Sequence, residues 1–397
     1  MRLQVLIAVA SVLLFVVSVP TASAQTAICL FVPATIVGTE GDDVLEGTSG
    51  PDVIHGLGGD DVIYGFEGDD ILCGGLGDDT IYGGEGNDEL EGDFVIGTPG
   101  DDVIMGGNDR LFGGPGQDDL DGDFLIGGSG NDLLIGGDDY LESNEDGSPE
   151  GFVPAGDLLA GEDGHDTLIG GNDTFVGGPG LDFFGGDFLL GGRGDDHVIG
   201  GNDIISGGAG DDVLFGDFLF GGLGADVYEA GDDEISGDDG NDFVDGDAMF
   251  GGAFGGPGDD VYVGGVNTVD GGAGDDIVIG GGALDFGGGD DTFLNTGNTV
   301  KGGRGDDILY GEIVHGGPGE DSAQLGADTL LGGGGNDQLF GESLVDPFGG
   351  LPGGVEQFSG GDDVLDCGPG RSDFGDGGPG FDTATKCEQV VNVENLI

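Results

Sequence analysis

An all-β fold, a right-handed parallel β-roll or solenoid of very short strands, is the class that three features of this chain predict. A quarter of its residues are glycine, 99 of 397. A nine-residue phrase, Gly-Gly-x-Gly-x-Asp-x-(large apolar)-x, recurs in phase or in shortened form along nearly its whole length, as at 74–82. Each unit also closes on three residues whose middle member is large and apolar, among them Leu45, Ile54, Ile63, Leu72, Ile81, Leu111, Phe175, Val198, Leu214, Val278 and Leu309. Alternation along a strand sends that middle side chain to one face and its neighbours to the other. Three residues are too few for a hairpin, so the units must stack as parallel coils that bury their middle residues in a thin internal core.

Residues 1–24 have the form of a secretory signal. Arg2 precedes an apolar run over 5–19, and Ala22-Ser23-Ala24 stands before Gln25. That run is short for a membrane span, and no later segment is apolar enough to cross a bilayer. Export would bring the chain to calcium concentrations that fill even weak sites. Residues 25–37 are expected to form the N-terminal cap.

Residues 38–91 are six uninterrupted nonapeptides beginning at Gly38, Gly47, Gly56, Gly65, Gly74 and Gly83. Over 92–366 the roll continues with long turns alternating with short ones. Full units mix with seven-residue forms such as 200–206 and five-residue forms such as 216–220. Units starting at Gly191, Gly200, Gly207 and Gly216 have lengths 9, 7, 9 and 5, and the series begins again at Gly221. Each such period is expected to divide into one coil of 16 and one of 14. On that reading the full turns at Gly97, Gly113, Gly127, Gly161, Gly177, Gly191, Gly207, Gly221 and Gly237 share one edge. The trimmed turns at Gly106, Gly122, Gly136, Gly170, Gly186 and Gly200 share the other. About twenty such coils at ~4.8 Å give a rod roughly 95 Å long. Two insertions, 143–155 and 346–359, carry proline, glycine and acidic residues and are expected to leave the edge as loops. The phrase decays over 367–397, which is expected to cap the C-terminal end.

Four cysteines lie in pairs near the two ends, Cys29 with Cys73 and Cys367 with Cys387. In an exported solenoid these pairings are preferred as disulfides that pin the caps, although four cysteines permit three connectivities.

Eighty acidic residues against seven basic ones give a formal charge of −73. Such a chain repels itself in plain water and has no use for a phosphate backbone, which excludes nucleic acid as a partner. The acids are evenly dosed through the repeat, which points to cation sites. Turn glycines can take positive φ and aim successive carbonyl oxygens at one point, and the sixth-position Asp adds a carboxylate. An oxygen-only, flexible cage of this kind suits Ca2+ better than magnesium or a transition metal.

Over 38–382 this pattern resembles the hemolysin-type calcium-binding repeats of the repeats-in-toxin (RTX) family. The resemblance implies that the sixth-position Asp and the turn carbonyls hold calcium between stacked turns. The matching positions are Asp43, Asp52, Asp61, Asp70, Asp79 and Asp88 in the first block. Along the long turns they are Asp102, Asp118, Asp132, Asp166, Asp182, Asp196, Asp212, Asp226, Asp242, Asp260, Asp276, Asp307, Asp321 and Asp337. The trimmed turns keep an Asp before the strand, as at Asp109, Asp173, Asp187, Asp203 and Asp217, but lack the Gly-x-Gly arm. Capping of backbone N–H groups is the favoured role for these, with weak calcium sites as the alternative.

No catalytic motif stands out. His55, His165, His197 and His315 occupy different repeat positions, and no HExxH, GxSxG or Walker phrase occurs. The expectation is a non-enzymatic, exported calcium protein with a structural or adhesive role at a cell surface or in a matrix. An extracellular polysaccharide-active enzyme or binder on the same solenoid is the alternative. The five-residue units add bulky flanks, Phe94 and Ile96, Phe124 and Ile126, Phe188 and Leu190, Phe218 and Phe220. These either line the outside as a self-association or docking stripe or are buried by a shift in strand parity.

Overall fold

The computed structural model describes residues 27–97, 99–115, 118–142, 155–220, 224–251, 259–285, 292–315, 321–344, 355–359, 361–370, 372–378, 380–393 and 395–396. The expected signal at 1–24 and most of both insertions fall outside these residues. All the described elements are strands, and no helix among them is long and apolar enough to cross a membrane.

Three parallel sheets make the body, two of fourteen strands and one of nine. The first three coils have two walls. Val53–Gly58 pairs with Ile71–Leu76 in sheet 1, and Val62–Glu67 pairs with Thr80–Glu85 in sheet 2, each partner lying two units further along the chain. From residue 92 a third wall appears. Glu89–Ile96 runs along sheet 1, Val103–Met105 opens sheet 3, Arg110–Phe112 returns to sheet 2, and Asp119–Ser129 re-enters sheet 1. Partners now lie four units apart, Leu120 against Leu90 and Leu111 against Ile81. One coil therefore takes up the whole four-unit period, and the expected division into coils of 16 and 14 is wrong. With fourteen strands per long sheet at ~4.8 Å, the rod is roughly 60 Å long, not 95 Å.

The coil is wide because it wraps two cores. Leu90, Leu111, Leu120 and Leu141 fall in one cluster, and Ile104, Leu125, Leu134 and Leu159 in a second. The strand Asp119–Ser129 serves both, placing Leu120 in the first and Leu125 in the second. Leu125 follows Leu120 by an odd number of positions, so strict alternation cannot send both inward. The parity slips by one at Gly122-Asp123, the remnant of a turn. Leu125 then points inward, and its neighbours Phe124 and Ile126 take the opposite face.

Those outer flanks make a third cluster on the back of sheet 1. Leu158, Phe188, Phe218 and Phe220 are buried there, with Phe124 and Leu190 packed against them. The Phe188 and Phe218 rings stack at 5.0 Å, and Phe218 meets Phe220 at 4.6 Å. Both expectations for the flanks are met in part: they face outward, yet the larger rings bury one another.

Sheet 3 ends with Val355–Ser359, which pairs with Asp321–Gln324. This end of the second insertion is a strand and not the loop its composition suggests. Beyond it the coils return to two walls around the first core, ending in Gln389–Val391 on sheet 1 and Asn395–Leu396 on sheet 2. Both preferred disulfides are formed, Cys29–Cys73 and Cys367–Cys387.

Candidate metal sites at the edges and in the waist

Three long columns of aspartate run up the roll, joined by one repeated bond. In each, the backbone N–H of one Asp donates to Oδ1 of the Asp one coil on. The first column starts Asp43, Asp61, Asp79, with bonds of 2.7 and 2.6 Å. The second joins Asp52, Asp70, Asp88 and Asp118, then resumes as Asp182, Asp212, Asp242, Asp276, Asp307 and Asp337. The third joins Asp102, Asp132, Asp166, Asp196, Asp226 and Asp260. Asp321 stands one residue before the Ser322–Thr292 pair, and the register against 355–359 shifts between Asp321 and Ser322.

Full turns therefore occupy both outer edges, and the expectation of one complete edge facing one trimmed edge is wrong. Asp102 and Asp132 close the end beside the second core, and Asp118 and Asp212 the end beside the first. Short turns instead lie between the two cores, because four residues suffice to step from sheet 3 to sheet 2 but not to round an end.

At the full turns the second carboxylate oxygen points into the turn. Of the twenty expected aspartates, thirteen leave that oxygen buried and reached by no N–H or O–H donor: all but Asp43, Asp52, Asp102, Asp182, Asp226, Asp260 and Asp321, and at Asp182 Oδ2 accepts the Gly178 N–H at 3.3 Å. A methyl group built on Gly302 would stand 2.5 Å from Asp307 Oδ2 and 2.7 Å from the carbonyl oxygen of Gly332 on the next coil. A carboxylate and a carbonyl from stacked turns thus converge on a space only a glycine leaves open. The second and fourth glycines take positive φ, 98° at Gly75 and 134° at Gly77, which turns their carbonyls. The donor set is all oxygen, as calcium requires.

Where the second glycine is replaced, the carboxylate has other company. Thr39 donates its N–H (2.6 Å) and hydroxyl (2.8 Å) to Asp43 Oδ2, and Thr48 does the same for Asp52 at 2.6 and 2.9 Å. Asp226, whose unit keeps both glycines, also has a donor: the Tyr228 hydroxyl gives its proton to Oδ2 at 3.1 Å.

Burial, opposed by the ladder bond, lifts the carboxyl of Asp79 to about 8 and that of Asp118 to about 7. Asp88 and Asp212 rise to about 6 for the same reason.

The trimmed turns hold the strongest concentration of charge. The first column continues from Asp79 into Asp109, Asp139, Asp173, Asp203 and Asp233 in the waist. Facing it from sheet 1 are Asp93, Asp123, Asp157, Asp187, Asp217 and Asp247, which accept the N–H of the opposing turn glycines, as Asp157 does from Gly171 at 2.6 Å. Capping is thus what one oxygen of each does, as expected. The other oxygen is buried with no donor. The two rows interdigitate into five overlapping groups: Asp93, Asp109 and Asp123; Asp123, Asp139 and Asp157; Asp157, Asp173 and Asp187; Asp187, Asp203 and Asp217; Asp217, Asp233 and Asp247. In each group the ligand oxygens lie within 4.8 Å of one another. The sequence already shows the Asp retained at both shortened forms after the glycine arm is lost; because the short turns were expected on an outer edge, their convergence into groups of three was not legible there.

The family model of the RTX calcium-binding nonapeptide repeat matches the chain at residues 37–72, 64–94, 91–120, 119–144, 154–184, 183–214, 200–228, 229–248, 295–323 and 315–343, which together span more than half of it. The chain belongs to this family, and it is a calcium-binding β-roll. No curated protein matches it.

Proposed function

We propose that this protein is an exported, non-enzymatic rod that folds as it takes up calcium and serves a structural or adhesive role outside the cell. The observation that carries the reading is the run of full-turn aspartates along the edges, thirteen of which hold a buried, donorless oxygen that points into a glycine-lined cradle. The thirteen aspartates of this kind are assigned as calcium ligands, each with a carbonyl of the neighbouring turn. Ionised carboxylates stacked one coil apart repel each other, and each divalent ion bound between them reverses that repulsion. Binding free energy is then folding free energy. The low-calcium cytoplasm would leave such a chain expanded, and the outside would fold it.

Circular dichroism of the purified chain in chelator and then in millimolar calcium tests the coupling. A disordered spectrum that becomes β-rich is expected; the same β-spectrum in both conditions refutes it. Fractionation of the producing cells tests export, which retention of the chain inside the cell would contradict.

A further inference from the structure

We infer that the waist of the roll is a string of buried divalent-cation sites, one per coil, built from the aspartates of the shortened units and distinct from the turn sites. The turn sites use a glycine arm; these use three carboxylates and no glycine arm. The inference rests on the calcium-binding reading for the identity of the ion, while the sites themselves follow from the side chains.

Burial is the first argument. Asp93, Asp123, Asp157, Asp187 and Asp217 are completely buried, and Asp109, Asp139, Asp173, Asp203 and Asp233 no more than 3% exposed. Each spends one oxygen on a backbone N–H and aims the other, donorless, at its neighbours. Among the described residues no ion pair to lysine or arginine involves the five groups, and a buried carboxylate without a counter-charge is strongly unfavourable.

Charge arithmetic is the second. Each added coil brings two new carboxylates, one from each row, and completes one further group of three. One divalent ion per group neutralises that increment, whereas a monovalent ion leaves one charge per coil uncompensated in the interior.

The third argument is a natural control further along the same column. At the register of Asp247, the next coil of sheet 1 carries Gly281, since Ala248 pairs with Gly282. The two opposing positions that would share its group are then Asn267 and Asn298. Both amides still do the ladder's work: Asn267 Oδ1 accepts the Asp233 N–H at 2.8 Å, and Asn298 Oδ1 accepts the Asn267 N–H at 2.9 Å. Asn267 Nδ2 donates to the Gly280 carbonyl at 2.9 Å. Asparagine is thus sufficient for capping, and it appears where the third carboxylate is missing. Carboxylates resume with Glu312 and Asp328 once the opposite row regains an acid. The second oxygen is needed only where three acids converge, which is the requirement of a cation and not of the backbone.

Transplanting the break tests this. Asp173→Asn, Asp187→Gly and Asp203→Asn together remove two of the five groups and keep the ladder acceptors. Native mass spectrometry of the full chain in calcium counts the ions directly. The triple variant is expected to carry two fewer calcium ions than the parent at the same free calcium, with its β-spectrum retained; an equal count overturns the inference and assigns the column to shared protons. If that variant does not fold, the reverse set decides: Asn267→Asp, Gly281→Asp and Asn298→Asp should gain two ions. A methyl group on Gly281 comes no closer than 3.3 Å to any neighbour, so the site admits the change. No gain overturns the proposal. A parent that binds no calcium at all sinks the calcium reading itself, whereas a calcium-loaded parent with unchanged counts in the variants sinks only the waist sites.

Discussion

The backbone N–H of Asp79 donates to Oδ1 of Asp109 at 2.6 Å, and at that bond the outside of one structure becomes the inside of another. Below it, Asp43, Asp61 and Asp79 rim a two-walled roll. Above it the same column passes between two cores. The chain widens from coils of two units to coils of four without breaking the ladder, because the new wall is added on the far side of the column.

Acidity should replace calcium in part. The carboxyls of Asp88, Asp118 and Asp79 titrate near 6, 7 and 8 in the folded, ion-free chain, against about 3.9 when unfolded. Raised folded values mean that the folded form binds more protons, so this stability is fully present below about pH 4 and is lost as pH rises through 6 to 8. In chelator the β-spectrum should persist at pH 4 and disappear by pH 8, and calcium should restore it at pH 8. A pH titration followed by circular dichroism measures this; a metal-free chain more ordered at pH 8 than at pH 4 contradicts it.

Asp212 separates the two duties of an edge carboxylate. Its Oδ1 accepts the Asp182 N–H at 2.8 Å, and its Oδ2 faces the turn. Asp212→Asn keeps the first bond and weakens calcium binding at that turn. Asp212→Ala also strands the N–H and should cost about 1–3 kcal/mol more in calcium-saturated denaturation. Equal midpoints for the two variants would show that the ladder bond carries no weight.

Phe218 and Phe124 should differ as their burial differs. Phe218 is 7% exposed and packs against Phe188, Phe215 and Phe220, whereas Phe124 is half-buried. Phe218→Ser is expected to destabilise the roll by about 3 kcal/mol or more, and Phe124→Ser by less. Thermal unfolding in calcium ranks them. A stable Phe218→Ser variant with altered sedimentation would instead assign the cluster to association.

Loss of the Cys367–Cys387 bridge should be felt locally. Coils in a solenoid touch only their neighbours, so instability at one end need not spread. Cys367→Ser with Cys387→Ser should cost about 2–4 kcal/mol, confined to the last coils. Hydrogen exchange should accelerate in Thr383–Thr385 and Gln389–Val391 and stay unchanged around Leu214. Acceleration throughout the rod would show global cooperativity instead.

The apolar beat by itself determined that the chain is a parallel roll, because a middle residue such as Leu111 or Leu214 has one inward choice in a three-residue strand. The glycines and Asp at fixed offsets likewise pointed to calcium chemistry in the full turns, since those offsets are properties of a single unit. What it left open was where each unit stands around the coil. A short turn such as 106–109 serves equally as an outer edge or as a step between two cores, and nothing within it distinguishes the two. Only the assembled structure decided this, by pairing Leu111 with Ile81 four units back and filling two cores at once. Stacking partners are chosen by the joint packing of many coils, so the waist and its buried aspartates exist only in the folded column.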